Sequence, residues 1–153
     1  MKTIKDSLVE HPFFKGLNEE DLDFIAGCGK NQVFQSGEMI FREGRDANSF
    51  YIIRQGSVSL EIHSPQRGPL IIATVGEGEV LGWSWLVPPF VWHFDARARD
   101  LTRTIAMDAK CLRAKCEKDP RLGFELSKRF SQITVDRLNA TRIQLLDLYG
   151  VPS

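Results

Sequence analysis

The sequence predicts a mainly β protein: an eight-stranded antiparallel jelly roll (a double-stranded β-helix), preceded by short N-terminal helices and followed by a long C-terminal helix. Three observations predict it. From Asn31 to about Met107, short apolar runs alternate with Gly, Asn, Asp and Pro turns at intervals of eight to twelve residues, the texture of an antiparallel sandwich or barrel. On either side of that stretch the texture is helical. From Pro120 to Leu148 no further proline intervenes, and apolar residues recur at spacings of three and four, which gives one long amphipathic helix.

At the N-terminus, Asn18 precedes "EEDLDFIAG", with acids in the first turn and glycine at the end: a capped short helix. "HPFFKGL" is an apolar lead-in to it. The strand candidates are "NQVFQ", "EMIFREG", "SFYIIRQG", "SVSLEIH", "PLIIATVG", "EVLG", "HFDARARD" and "TRTIAMD". In "SVSLEIH", Val58, Leu60 and Ile62 alternate with Ser59, Glu61 and His63, so one face turns in and the other out. Gly44 and Gly56 are expected at tight hairpins, where a positive φ is cheap only for glycine. "DAKCLRAKCEK" reads as a helix. Asp119 and Pro120 then restart the chain as N-cap and first helical residue. The last helix would be about 43 Å long at 1.5 Å per residue, too long for the flank of so small a roll. Its far end is expected to pair with a second copy through Leu122, Leu126, Phe130, Ile133, Leu138 and Leu145. The division is thus residues 1–119 for the roll with its short helices, and 120–153 for the dimerisation helix and tail.

Composition narrows the function. Lys plus Arg and Asp plus Glu both number 20, so the net charge is zero, which argues against a dedicated nucleic-acid binder. No apolar run reaches membrane-span length, and the N-terminus lacks a signal-peptide core. Cys28, Cys111 and Cys116 are odd in number and form no CxxC, so neither a disulfide framework nor a zinc site is expected. Buried thiols in a cytoplasmic protein are the simpler reading.

The order of elements, with "HPFFKGLNEEDLDFIAG", "FQSGEMIFREGRDANSFYIIRQGSVSLE" and "GEGEVLG", resembles the cyclic nucleotide-binding domain of the catabolite-activator (Crp/Fnr-like) regulators. The resemblance covers roughly residues 8–148 and implies a phosphate-binding cassette. In that family the cassette reads Gly-Glu-x-Phe-Gly-Glu, a short helix, then Arg-(Ser/Thr)-Ala. Helix N–H groups and the arginine meet the cyclic phosphate, and the glutamate accepts the ribose hydroxyl.

The sequence departs from that cassette at both grips. Gly78 to Gly82 matches its opening, but Trp83 stands at the glutamate position. The short helix becomes Ser84-Trp85-Leu86-Val87, cut off by Pro88-Pro89. Trp92 falls on the arginine position and His93 on the Ser/Thr position. Trp92, Phe94, Ala96 and Ala98 should share the inner face, leaving Arg97 and Arg99 outside; a one-residue slip would reverse this. The ligand-contacting set is therefore Val80, Leu81, Gly82, Trp83, Ser84, Trp85, Trp92 and His93. Losing a charge-assisted partner costs an anion about 1.5–3 kcal/mol. Three arrangements stay open: the rings fill the pocket, they line it for a flat or apolar ligand, or backbone groups keep residual cyclic-nucleotide binding.

No metal is expected. His11, His63 and His93 have no paired spacing, and His93 near the pocket reads more simply as a solvent-facing strand residue than as a haem or metal ligand. Arg121, Lys128, Arg129, Arg137 and Arg142 read as a solvated helix flank. No nucleophile–base constellation assembles, so no enzyme is expected. The chain leaves no room for the helix-turn-helix that follows the long helix in DNA-binding relatives, so no direct DNA contact is expected. These readings converge on a sensory or regulatory module with a non-standard aromatic pocket that signals through its C-terminal helix to a partner. A conventional cyclic AMP or cyclic GMP receptor and a dimeric scaffold with a self-filled pocket are the alternatives.

Overall fold

The computed structural model describes residues 3–150. Helix α1, Ile4–Glu10, starts at a capping box: the Thr3 hydroxyl accepts from the Asp6 N–H and the Asp6 carboxylate accepts from the Thr3 N–H. A single 3-10 turn, Pro12–Phe14, is capped by the His11 imidazole, whose Nδ1 accepts from the Phe13 N–H. Helix α2, Glu19–Gly27, is capped by Asn18, as its sequence predicts. Eight strands follow: β1 (Gly29–Phe34), β2 (Met39–Phe41), β3 (Ser49–Gln55), β4 (Ser57–Ser64), β5 (Gly68–Gly76), β6 (Val80–Leu81), β7 (Asp95–Ala98) and β8 (Thr102–Asp108). Helix α3 spans Ala109–Lys118 and helix α4 Pro120–Leu148.

The strands form two four-stranded sheets, ordered β1-β8-β3-β6 and β2-β7-β4-β5, with every pairing antiparallel. This is the predicted roll. One turn differs from expectation. Gly56 has a positive φ of 101°, but β3 and β4 belong to different sheets, so it turns a corner between sheets and not a hairpin. A Cβ there would lie 2.7 Å from the Leu101 carbonyl oxygen, so the close crossing also demands glycine.

One core fills the roll and continues under the helices. Leu8, Phe14, Leu22 and Ile25 enter it from the N-terminal helices, and Leu112, Leu122, Leu126 and Phe130 from α3 and α4. This corrects part of the expected dimer interface. Leu122, Leu126 and Phe130 are buried in the chain's own core, and Ile133 packs against that core. Leu138 and Leu145 are exposed, as are Leu148 and Tyr149 beyond them. The reason is local. Helix α4 lies along the roll as far as Arg137, whose guanidinium reaches Val80, and the apolar residues beyond that point are uncovered. The 119/120 division coincides with the start of α4, while the core runs across it.

The basic residues of α4 are likewise not all a solvated flank. Arg121 donates to both oxygens of the buried Asp21 carboxylate at 2.9 and 3.0 Å, docking α4 to α2. Arg129 donates to the Phe13 carbonyl. Arg137 is half-buried, and its guanidinium reaches the Val80 carbonyl at 3.4 Å.

That guanidinium shares a small recess with His11, Gly78, Glu79 and Asp136. Burial holds the His11 imidazole below its ordinary value of 6.5, opposed by the nearby Gly78 backbone. A group whose folded pKa lies below its unfolded one makes the unfolded chain the better proton acceptor. The His11 contribution to stability is therefore complete above pH 6.5 and is lost as pH falls below it. Replacing His11 with Asn keeps a cap acceptor without the titration. Thermal melts of His11→Asn should fall less steeply than wild type between about pH 7 and pH 5.5. Equal slopes would assign the acid sensitivity to other groups.

Candidate functional site

The site is built on a short crossover. Gly78 and Gly82, with φ of 83° and 99°, bracket β6. Strand β6 pairs with β3 at Ile52–Val80 and Tyr51–Leu81. The chain then makes one 3-10 turn, Ser84–Leu86, with Trp83 at its N-cap supplying no side-chain cap. Pro88 and Pro89 end it, as their missing N–H groups require. Phe90 takes a positive φ of 58°. Residues 90–92 next run antiparallel to 44–47: the Ala47 N–H donates to the Phe90 carbonyl, the Trp92 N–H to the Arg45 carbonyl, and the Gly44 N–H to the Trp92 carbonyl.

The three indoles take different places. Trp92 is 3% exposed and stacks on Phe41 at 3.7 Å between ring centroids. Its far edge lies over Gly82, where a Cβ would meet it at 2.8 Å. Trp85 is completely buried, stacked on Phe50 at 4.9 Å and edge-on to Phe130 of α4 at 5.3 Å. Trp83 is half-buried and lies over the exposed His93 at 5.6 Å. Of the eight residues that the sequence nominates, Val80, Leu81, Ser84, Trp85 and Trp92 are buried side chains and Gly82 is buried beneath Trp92; Trp83 and His93 retain exposure.

The inner face of the following strand is as predicted. Trp92, Phe94, Ala96 and Ala98 are buried, alternating with the more exposed His93, Asp95, Arg97 and Arg99. Arg97 does not reach inward. Its Nε lies 3.4 Å from the buried Glu61 carboxylate and its Nη1 donates to the Gly37 carbonyl.

Two buried polar atoms in the crossover have no partner in the protein, the Ser84 Oγ and the Trp85 Nε1. Each such group costs about 1–3 kcal/mol. The turn is held from outside by a residue that sequence reading missed. Arg113 of α3 donates to the Trp85 carbonyl at 2.7 Å and the Ala47 carbonyl at 3.3 Å, and its guanidinium sits 4.4 Å from the Phe90 ring centroid. Nothing in "DAKCLRAKCEK" distinguishes it from a solvated helix arginine, because all three of its contacts are distant in sequence.

Two concave surfaces adjoin these rings. A cleft of about 490 Å3 beside Trp92 and Tyr51 carries Arg42 and Arg45. A groove of about 380 Å3 runs between Trp83, Leu86 and Val87 on one wall and Phe130, Thr134 and Val135 of α4 on the other. Among the described residues, no group of three or more His, Cys, Asp or Glu could hold a metal ion, and no helix is long and apolar enough to cross a membrane.

Two sheets closed into a roll, a glycine-bracketed cassette between β6 and β7, and a helix pair returning over it define the class of cyclic-nucleotide-type β-roll modules. The chain belongs to the cyclic nucleotide-binding domain family, whose model matches residues 31–119. It is 25% identical over 91% of its length to a Rhodopseudomonas palustris protein named as a potassium channel. It is 32% identical over 54% of its length to the cAMP/cGMP-dependent 3',5'-cAMP/cGMP phosphodiesterase B of Dictyostelium discoideum. The chain spans 32% and 8% of those two proteins. Among solved structures, one from Geobacter metallireducens, named as a cyclic nucleotide-binding protein, superposes with a TM-score of 0.80 at 27% identity, covering 90% of this chain and 99% of that one. The regulatory domain of Toxoplasma gondii PKA with cAMP shares the fold at a TM-score of 0.64 and 17% identity, over 73% of this chain and 42% of that one.

Proposed function

We propose that this domain is a non-catalytic regulatory module whose effector site is the groove between the cassette and α4, not the interior of the roll. The observation that carries the reading is the pairing of a filled interior with an open groove. Trp85 and Trp92 occupy the interior, while Trp83, Leu86 and Val87 face Phe130 and Val135 across apolar space. The ligand class is a flat apolar or aromatic molecule. Seated there, it touches cassette and helix together. It then shifts the placement of α4 to the extent that it binds one placement better than another. Asp119 and Pro120, between α3 and α4, are the hinge, and the exposed end of α4 is the output. We place a second copy of the chain on that end, against Leu138 and Leu145, with a partner protein downstream, and we place the module in the cytoplasm. The similar stretches within a channel-named protein and a phosphodiesterase fit a regulatory role.

Calorimetric titration with cyclic AMP and cyclic GMP is expected to give dissociation constants above about 100 μM or no binding. A value near 1 μM would favour a conventional nucleotide receptor instead. The hydrophobic dye anilinonaphthalene sulfonate should bind the full chain and lose most of its enhancement in Val87→Asp and Val135→Asp variants. If neither substitution changes the dye signal, the groove is not the site, and the buried state of Trp85 and Trp92 then favours a scaffold with a self-filled pocket. Light scattering should return twice the chain mass of 17.4 kDa at high micromolar concentration. Leu138→Glu with Leu145→Glu should return the monomer. A monomeric wild type removes the proposed interface.

A further inference from the structure

The sequence offers three unrelated thiols, but the fold brings two of them into contact. Cys28 closes α2 and Cys111 lies in the first turn of α3, 83 residues away. Their sulfurs are 2.9 Å apart, with both residues as free thiols. We propose that Cys28 and Cys111 form a redox-active dithiol, a modification site that a hydroperoxide converts to an intramolecular disulfide joining α2 to α3. The site is independent of the groove reading.

Hydrogen bonds tie down the backbone on both sides of the pair. The Asp108 N–H donates to the Cys28 carbonyl at 2.9 Å, and the Cys111 N–H donates to the Asp108 carboxylate at 3.2 Å. The β1–β8 ladder begins beside the pair, at Gly29–Met107. The two sulfurs therefore need to close by less than an ångström to reach the S–S distance of about 2.05 Å. They are also reachable. Cys111 is exposed, and both cysteines line an open cleft of about 490 Å3 that Lys30 and Lys110 also border.

The pair divides the chemistry by environment. Burial, then the contact with Cys111, pushes the Cys28 thiol up to about 12, so Cys28 is the resolving thiol and the exposed Cys111 the attacking one. The Cys111 thiolate attacks the outer oxygen of the hydroperoxide. An S–O bond forms, the O–O bond breaks, and the alkoxide leaves with a proton from water as an alcohol. Cys28 sulfur then attacks the sulfenic sulfur. The S–S bond forms, the S–O bond breaks, and the departing hydroxide takes the Cys28 proton as water. Two thiols lose two electrons in total, and one hydroperoxide becomes one alcohol and one water. Cys116 takes no part: it lies on the other side of α3, against Gly123 of α4.

The full chain treated with one equivalent of hydrogen peroxide should fall from three titratable thiols to one, with a Cys28–Cys111 peptide in the non-reduced digest. Closing so long a loop should raise Tm by roughly 10 °C, reversed by dithiothreitol. Cys28→Ser and Cys111→Ser should each abolish the shift, and Cys116→Ser should retain it. The exposed position of Cys111 makes its serine variant the safer folding control. A wild type that keeps three thiols under peroxide, or that loses them only to disulfides between chains, overturns the proposal.

Discussion

Trp85→Ala is expected to lower the unfolding free energy by about 3–5 kcal/mol, the range for removing a large aromatic from a core. Trp85 is fully buried between Phe50 of β3 and Phe130 of α4, so its loss leaves a cavity where roll, cassette and helix meet. One term acts in the other direction. The indole Nε1 has no hydrogen-bond partner, and removing a buried unsatisfied donor returns about 1–3 kcal/mol. Trp85→Phe separates the two terms, because it keeps most of the ring and discards the donor. Its cost should be near 1 kcal/mol, within the range for swaps that largely preserve volume. Trp83→Ala, at a half-exposed ring, should also cost about 1 kcal/mol. Denaturant titrations with unchanged m-values would give all three. A cost for Trp85→Ala no greater than that for Trp83→Ala would mean that Trp85 does not join α4 to the roll.

The features that are local in sequence were legible in it. The Asn18 and Asp119 caps, the proline start of α4 and the stop at Pro88 each depend on residues within a turn of one another. The alternation from Trp92 to Ala98 fixed the inner face, because a buried strand tolerates no slip of register. Residues whose role depends on distant partners were not legible. Phe130 reads as part of a dimer stripe, yet it packs edge-on against Trp85 in the chain's own core. Arg137 reads as a solvated charge and nothing local marks Arg113, yet both bond to backbone carbonyls of the cassette region. Leu122, Leu126 and Phe130 lie on one face of α4, and Leu138 and Leu145 lie roughly a third of a turn around it, at about 100° per residue. Spacings of three and four do not by themselves separate the face that the roll covers from the one that it leaves exposed.

Gly82→Ala is the second substitution with a large expected effect, through two separable causes. Gly82 has φ of 99°, where a residue with a Cβ is disfavoured by about 1–2 kcal/mol. The added methyl would also stand 2.8 Å from Cη2 and 2.9 Å from Cζ3 of Trp92. A flexible side chain could retreat, but this ring is stacked on Phe41 with an interplanar angle of 6°, and cores resist such insertion by about 1–3 kcal/mol. The combined loss should be about 2–5 kcal/mol. A double-mutant cycle with Trp92→Leu isolates the second cause. The shorter side chain removes the collision and leaves the backbone cost, so the pair should couple by about 1–2 kcal/mol in the compensating direction. The two substitutions would add without coupling if Trp92 did not occupy the space over Gly82. The interior of the roll would then be open to a ligand, and the case for moving the effector site to the groove would fail with it.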